Sequence, residues 1–65
     1  MKTGYYHCDT SNLNILVLNV VNESEDDIVL HLCVCERHGY PIEDSKDYKI
    51  EKKNIRHWKE GKRDV

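Results

Sequence analysis

The stretch "IVLHLCVCERHG", residues 28–39, holds the densest set of side chains able to do chemistry: His31, Cys33, Cys35 and His38. Thiols and imidazoles this close suggest metal ligation, thiol–disulfide exchange or nucleophilic attack. Spacing decides among them. A structural zinc site draws its thiolates from turns with C-x2–4-C spacing, so that the sulfurs converge on one ion at about 2.3 Å. A C-x-C pair on a strand sets its Cα atoms about 6.6–7 Å apart with parallel side chains. That geometry suits neither a shared ion nor a Cys33–Cys35 disulfide. A bent strand, helped by His7 or Cys8, leaves a small zinc-stabilised domain as one alternative, with Cys8, Cys33, Cys35 and His38 as its ligands. There is no C-x-x-C to support redox exchange. The expectation is that the cysteines pack as small apolar side chains, with no metal and no cofactor.

Catalysis has little to stand on. Cys35 and His38 would make a nucleophile and base only if a strand end and a loop brought them together, which their spacing does not ensure. Asp26–Asp27 and Glu43–Asp44 do not match the calcium-loop pattern. Gly4, Gly39 and Gly61 form no phosphate-binding loop. Substrate pockets usually enclose about 300 Å3 or more, and a chain of 65 residues is near the lower limit for a single unaided core. We therefore expect a binding protein and not an enzyme.

The bulk composition agrees. Only 38% of residues are apolar, Phe is absent, and four tyrosines with Trp58 supply all the aromatic bulk. Three cysteines cannot close into a complete disulfide framework. The opening "MKTGYYHCDT" lacks the apolar core of a secretory signal, and no apolar run approaches the ~20 residues that span a bilayer. These features lead us to expect a reduced, cytoplasmic protein with one domain over residues 1–65, its residues 61–65 a frayed tail.

The elements that must position these residues are strands. "NLNILVLNVVNES" and "IVLHLCVCE" are rich in β-branched and aliphatic residues and flank the acidic "ESEDD", which reads as an antiparallel hairpin with a polar connection. "TGYYHC" is a shorter strand, with Thr3, Tyr5 and His7 on one side. "RHGYPIEDS" is a loop. In "DYKIEKKNIRHWKEG", Tyr48 and Ile50 alternate as on a strand, whereas Ile55 and Trp58 are spaced as on a helix. We read 47–52 as a strand and 53–57 as one tight turn, after which Trp58 returns to the core; a helix over 50–60 is the alternative. The fold class is all-β, or β-rich with one short C-terminal helical turn. The run "YKIEKKNIRHW" resembles the last strands of SH3-like barrels, where a single helical turn separates two short strands. Over those eleven residues the resemblance implies architecture alone: a small SH3-like or bent antiparallel sheet on a central hairpin.

Alternation along the hairpin assigns its faces. With Asn22 opposite Ile28, Val20 faces Leu30, Leu18 faces Leu32 and Leu16 faces Val34, giving the core side. On the reverse side Val17 meets Cys33, Ile15 meets Cys35 and Asn19 meets His31. The tail can cover the core side with Tyr48, Ile50, Ile55 and Trp58. The reverse side would stay bare: Ile15, Val17, Val21, Val29, His31, Cys33 and Cys35 form an expected protein interface, suited to a homodimer or another partner.

Charge is divided along the chain. Residues 1–45 carry eight acids against two bases, and residues 46–65 carry eight bases against four acids. The two halves either complement each other within the fold, or the basic segment meets phosphates. The second reading makes Lys49, Lys52, Lys53, Arg56, Lys59, Lys62 and Arg63, interleaved with His57 and Trp58, a nucleic-acid-binding surface. Protein binding is the leading expectation: a small regulator or inhibitor, of the kind phages and mobile elements encode.

Overall fold

The hairpin at the centre of the sequence is the spine of the computed structural model, which describes residues 1–9 and 11–63. Five strands, β1 (Gly4–Cys8), β2 (Asn14–Glu23), β3 (Asp27–Cys35), β4 (Lys46–Glu51) and β5 (Trp58–Glu60), form one open antiparallel sheet in the order β4-β3-β2-β1-β5. A single helical turn, α1 (Lys52–Ile55), joins β4 to β5. The fold is all-β, and its helical turn lies between two short strands, as the resemblance implied. The alternative of a helix over 50–60 is not what forms: Tyr48 and Ile50 sit in β4, and Trp58 begins β5.

The hairpin register differs from simple alternation. Val20 does face Leu30 and Asn19 does face His31, but Asn22 faces Val29 and not Ile28, Leu16 faces Cys33, Val17 faces Leu32, and Ile15 faces Val34. Two irregularities cause this. The register shifts between Val17 and Asn19 and again between Val20 and Asn22, so Leu18 and Val21 are each an extra residue with no partner across the strand. Such a bulge bends and twists its strand and re-aims the side chains that follow. Before the first bulge the odd-numbered Ile15 and Val17 face the core; after it the even-numbered Val20 does. One bulge thus moves Leu18 from the expected core to the surface, and Val17 from the expected surface to the core.

The core consists of Tyr6, Val17, Ile28, Leu30 and Leu32, with Ile15, Val20, Val34, Tyr48, Ile50, Ile55 and Trp58 packed around them. The four tail residues expected to cover the sheet do so. Tyr6 and Trp58 meet at a ring-centroid distance of 6.2 Å, tilted by 45°, within the range of favourable aromatic pairs. α1 has no side-chain cap at its N-terminus; instead the Lys52 N–H donates to the Asp26 carbonyl at 2.8 Å, pinning the turn to the β2–β3 connection.

The opposite side of the sheet is half covered. The segment after β3 folds back over it: the Glu36 N–H donates to the Tyr40 carbonyl, the Ile42 N–H donates to the Val34 carbonyl, and Pro41 bridges to Cys35. Beneath this segment lie Cys33, Cys35 and the wholly buried Asn14. Residues 61–63 close over the same end. The Gly61 N–H donates to the Tyr5 carbonyl at 2.7 Å, and the Arg63 guanidinium donates to the carbonyls of Cys8, Asp9 and Ser11. That stretch of the expected frayed tail is therefore tied down; Asp64 and Val65 lie outside the described residues. The accessible surface is 4585 Å2, near the roughly 4,300 Å2 of a compact monomer of this mass. A second copy is not required to complete the core.

Candidate docking surface

The expected interface residues do not share one face. Val17 lies in the core, with Ile15 packed against it. Cys33 and Cys35 are buried on the other side. There the Cys33 thiol donates to the Glu43 carbonyl at 2.9 Å and the Cys35 thiol to the Cys33 carbonyl at 3.6 Å. Burial pushes the Cys35 thiol above its ordinary range, with the neighbouring Cys33 adding to the effect. Of the seven, only Val21, Val29 and His31 remain together away from the core, and the bulges bring Leu18 beside them. The bulges are what alternation alone could not reveal.

Leu18 and Val21 are 46% and 47% exposed. They flank the Asn19↔His31 and Asn22↔Val29 pairs on the outward face of the hairpin. His31 Nδ1 meets Asp47 Oδ1 of β4 at 2.8 Å, so an apolar centre is bordered by polar groups held in place. A second apolar presentation lies on the folded-back segment, where Tyr40 is 72% exposed and Ile42 is 56% exposed. Hydrogen bonds brace this segment. The Glu36 carboxylate accepts from the backbone N–H groups of His38 and Tyr40 at 2.7 and 3.0 Å, and the Tyr5 hydroxyl donates to the Gly39 carbonyl at 3.2 Å. Gly39 adopts a φ of +94° and is buried, a conformation that a side chain would strain.

Most of the basic segment is engaged within the chain. Lys52 meets Glu23 and Lys59 meets Asp9, both at 2.7 Å. Lys53 meets Glu51 at 3.2 Å, and Lys49 lies 3.9 Å from Asp27. Lys62 sits 5.3 Å from the centroid of the Tyr5 ring. The hydrogen bond from Lys59 holds the Asp9 carboxyl below its ordinary value, and Lys52 does the same to Glu23. Arg56 is exposed and has no such partner among the described residues. It lines an open groove of about 540 Å3 with Cys8, Asp9, Asn54, His57, Trp58 and Lys59. Acidic body and basic segment therefore answer each other within the fold.

The alternative zinc ligands are not assembled. Cys8 lies in β1 and Cys33 and Cys35 in β3, with β2 between them, a separation of about 9–10 Å at the usual strand spacing. Among the described residues no three His, Cys, Asp or Glu side chains are placed to hold a metal ion, and no helix is long and apolar enough to cross a membrane. No protein-family model, curated protein or solved structure matches this chain.

Proposed function

We propose that this protein acts by docking onto another protein through the outward face of the hairpin, without chemistry of its own, as a small regulator or inhibitor. One observation carries the reading: each bulge in β2 turns a large aliphatic side chain, Leu18 or Val21, out to solvent. Bulges re-aim side chains, and a polar residue would serve at either position if solvent were its only neighbour. Two aliphatics beside Val29, bordered by Asn19, Asn22 and His31, have the apolar centre and polar rim of a protein interface. Three cysteines, which cannot close into a complete disulfide framework, suit a reducing compartment such as the cytoplasm.

The test is photo-crosslinking from positions 18 and 21, with Leu18→Ser and Val21→Ser as variants. A partner that crosslinks from these positions, resists nuclease and is lost in both variants supports the reading. Both variants should keep the parent's thermal midpoint within about 4 °C, as substitutions at the surface usually do. The groove containing Arg56 and Trp58 favours the nucleic-acid alternative. Salt-sensitive binding to single-stranded oligonucleotides, abolished by Arg56→Glu and indifferent to Leu18→Ser, would favour that reading instead.

A further inference from the structure

The edge strand β4 is written to pair with itself, and we propose that two copies of this protein join antiparallel along β4, with each Tyr48 facing the other about a two-fold axis. β4 hydrogen-bonds to β3 on one side and ends the sheet on the other, so its outer backbone groups are a template for a further strand. The opposite edge, β5, has three residues against six in β4.

Geometry limits the registers. The outward N–H and C=O groups of an edge strand belong to alternate residues, and antiparallel pairing joins residues whose backbone groups point the same way. When a strand pairs with its own copy, the two-fold axis must therefore pass through a residue pair. Within Lys46–Glu51, axes through Tyr48 or Lys49 allow five cross-strand pairs, and axes through Asp47 or Ile50 allow three.

Charge decides between the two longer registers. Centred on Lys49, the pairing sets Lys49 against Lys49 and Asp47 against Glu51, so every charged pair is repulsive. Centred on Tyr48, it sets Asp47 of each copy against Lys49 of the other, twice, with the two tyrosines directly opposed and Lys46 beside Ile50. Opposite charges and paired aromatics across a strand are favourable, and like charges are not. Both side chains stay exposed, Asp47 to 59% and Lys49 to 72%, although Asp47 meets His31 and Lys49 lies 3.9 Å from Asp27 within one copy; both occupy the row that holds His31 and Val29.

Lysine on an edge usually discourages pairing with unrelated strands. Here the same charges discourage other sequences while matching a second copy. The dimer would be one continuous ten-stranded sheet, counting five strands from each copy. Leu18 and Val21 lie two strands in from the joint, so this inference does not rest on the docking surface proposed above. An edge-to-edge contact of this length falls in the small interface class, under about 1,200 Å2, so a weak, concentration-dependent dimer is expected.

Sedimentation velocity at low salt, from about 10 µM to about 1 mM, reads the association. Asp47→Lys and Lys49→Asp should each raise the dimer dissociation constant about tenfold or more, because both attractive pairs become repulsive. The combined swap, Asp47→Lys with Lys49→Asp, should restore the parent's association. Mixing the two single variants should yield a heterodimer that neither forms alone. Leu18→Ser should change none of these results. Circular dichroism of each variant establishes that the fold is retained. A parent that stays monomeric to about 1 mM would overturn the proposal. So would single variants that associate as the parent does, or a mixture that fails to associate.

Discussion

Asn14 Oδ1 accepts a hydrogen bond from the Arg63 backbone N–H at 2.6 Å, joining the first residue of β2 to the C-terminal segment. The Asn14 amide is completely buried, and its Nδ2 donates in the other direction to the carbonyls of Glu36 and Arg37 at 3.2 and 3.0 Å. One side chain therefore holds both flaps that cover the outer face: the segment after β3 and the segment after β5.

Removing that side chain should be costly. Asn14→Ala leaves the Arg63 N–H and the Arg37 carbonyl without this partner, while the Glu36 carbonyl keeps the Gly39 N–H; an unsatisfied buried polar group costs about 1–3 kcal/mol. Domains of this size have only about 3–5 kcal/mol in total, so Asn14→Ala should be marginally folded in urea titrations. Asn14→Asp should fare no better, because a carboxylate cannot donate to the two carbonyls. Arg63→Ala keeps its backbone N–H and should cost less than Asn14→Ala. Equal losses for the two variants would mean that the guanidinium holds the flap as firmly as the buried amide does.

The covering segment should also govern thiol reactivity. Cys8 is half-buried, whereas Cys33 and Cys35 lie under residues 36–43, and burial disfavours the Cys35 thiolate, the species that reacts. Mass spectrometry after brief alkylation of the native protein should find Cys8 modified first. Cys33 and Cys35 should follow at a rate set by local opening. Glu36→Ala, which removes the carboxylate accepting from His38 and Tyr40, should speed their modification more than that of Cys8. Simultaneous modification of all three in the parent would show that the segment does not protect them.

Stability should fall on the acid side in a way traceable to two lysines. Asp9 and Glu23 have carboxyls lowered from ordinary values of 3.8 and 4.5 through their bonds to Lys59 and Lys52. A lowered carboxyl binds its proton more readily in the unfolded chain. Its contribution is therefore present above the ordinary value and lost as pH falls through the folded one. The parent's thermal midpoint should drop as pH goes from about 5 to about 3. A Lys52→Met, Lys59→Met variant should show a shallower drop and a small loss at neutral pH, since both pairs are exposed. An unchanged slope would mean that other carboxylates set the acid limit.

Element type was legible in the sequence because it depends on local composition and period. β-branched runs marked β2 and β3, and the alternation of Tyr48 and Ile50 marked β4, whereas the helical spacing of Ile55 and Trp58 left a helix over 50–60 open beside the tight turn that forms. Complementarity of the charged halves was legible as one of two readings, since it needs only opposite charges brought into one small body. Side-chain facing was not. A strand has period two, so one inserted residue reverses every assignment beyond it. Nothing local in "LVLNVVN" says that Leu18 and Val21 are unpaired. That choice belongs to the bent sheet, which must curve around Leu30 and Leu32 while keeping Asn19 opposite His31. The cover over Cys33 and Cys35 was hidden for a related reason: it depends on Asn14, Glu36 and Arg63 meeting across nearly the whole chain. Local propensity determined which segments are strands; long-range packing and hydrogen bonding decided which of their side chains the protein shows to its surroundings.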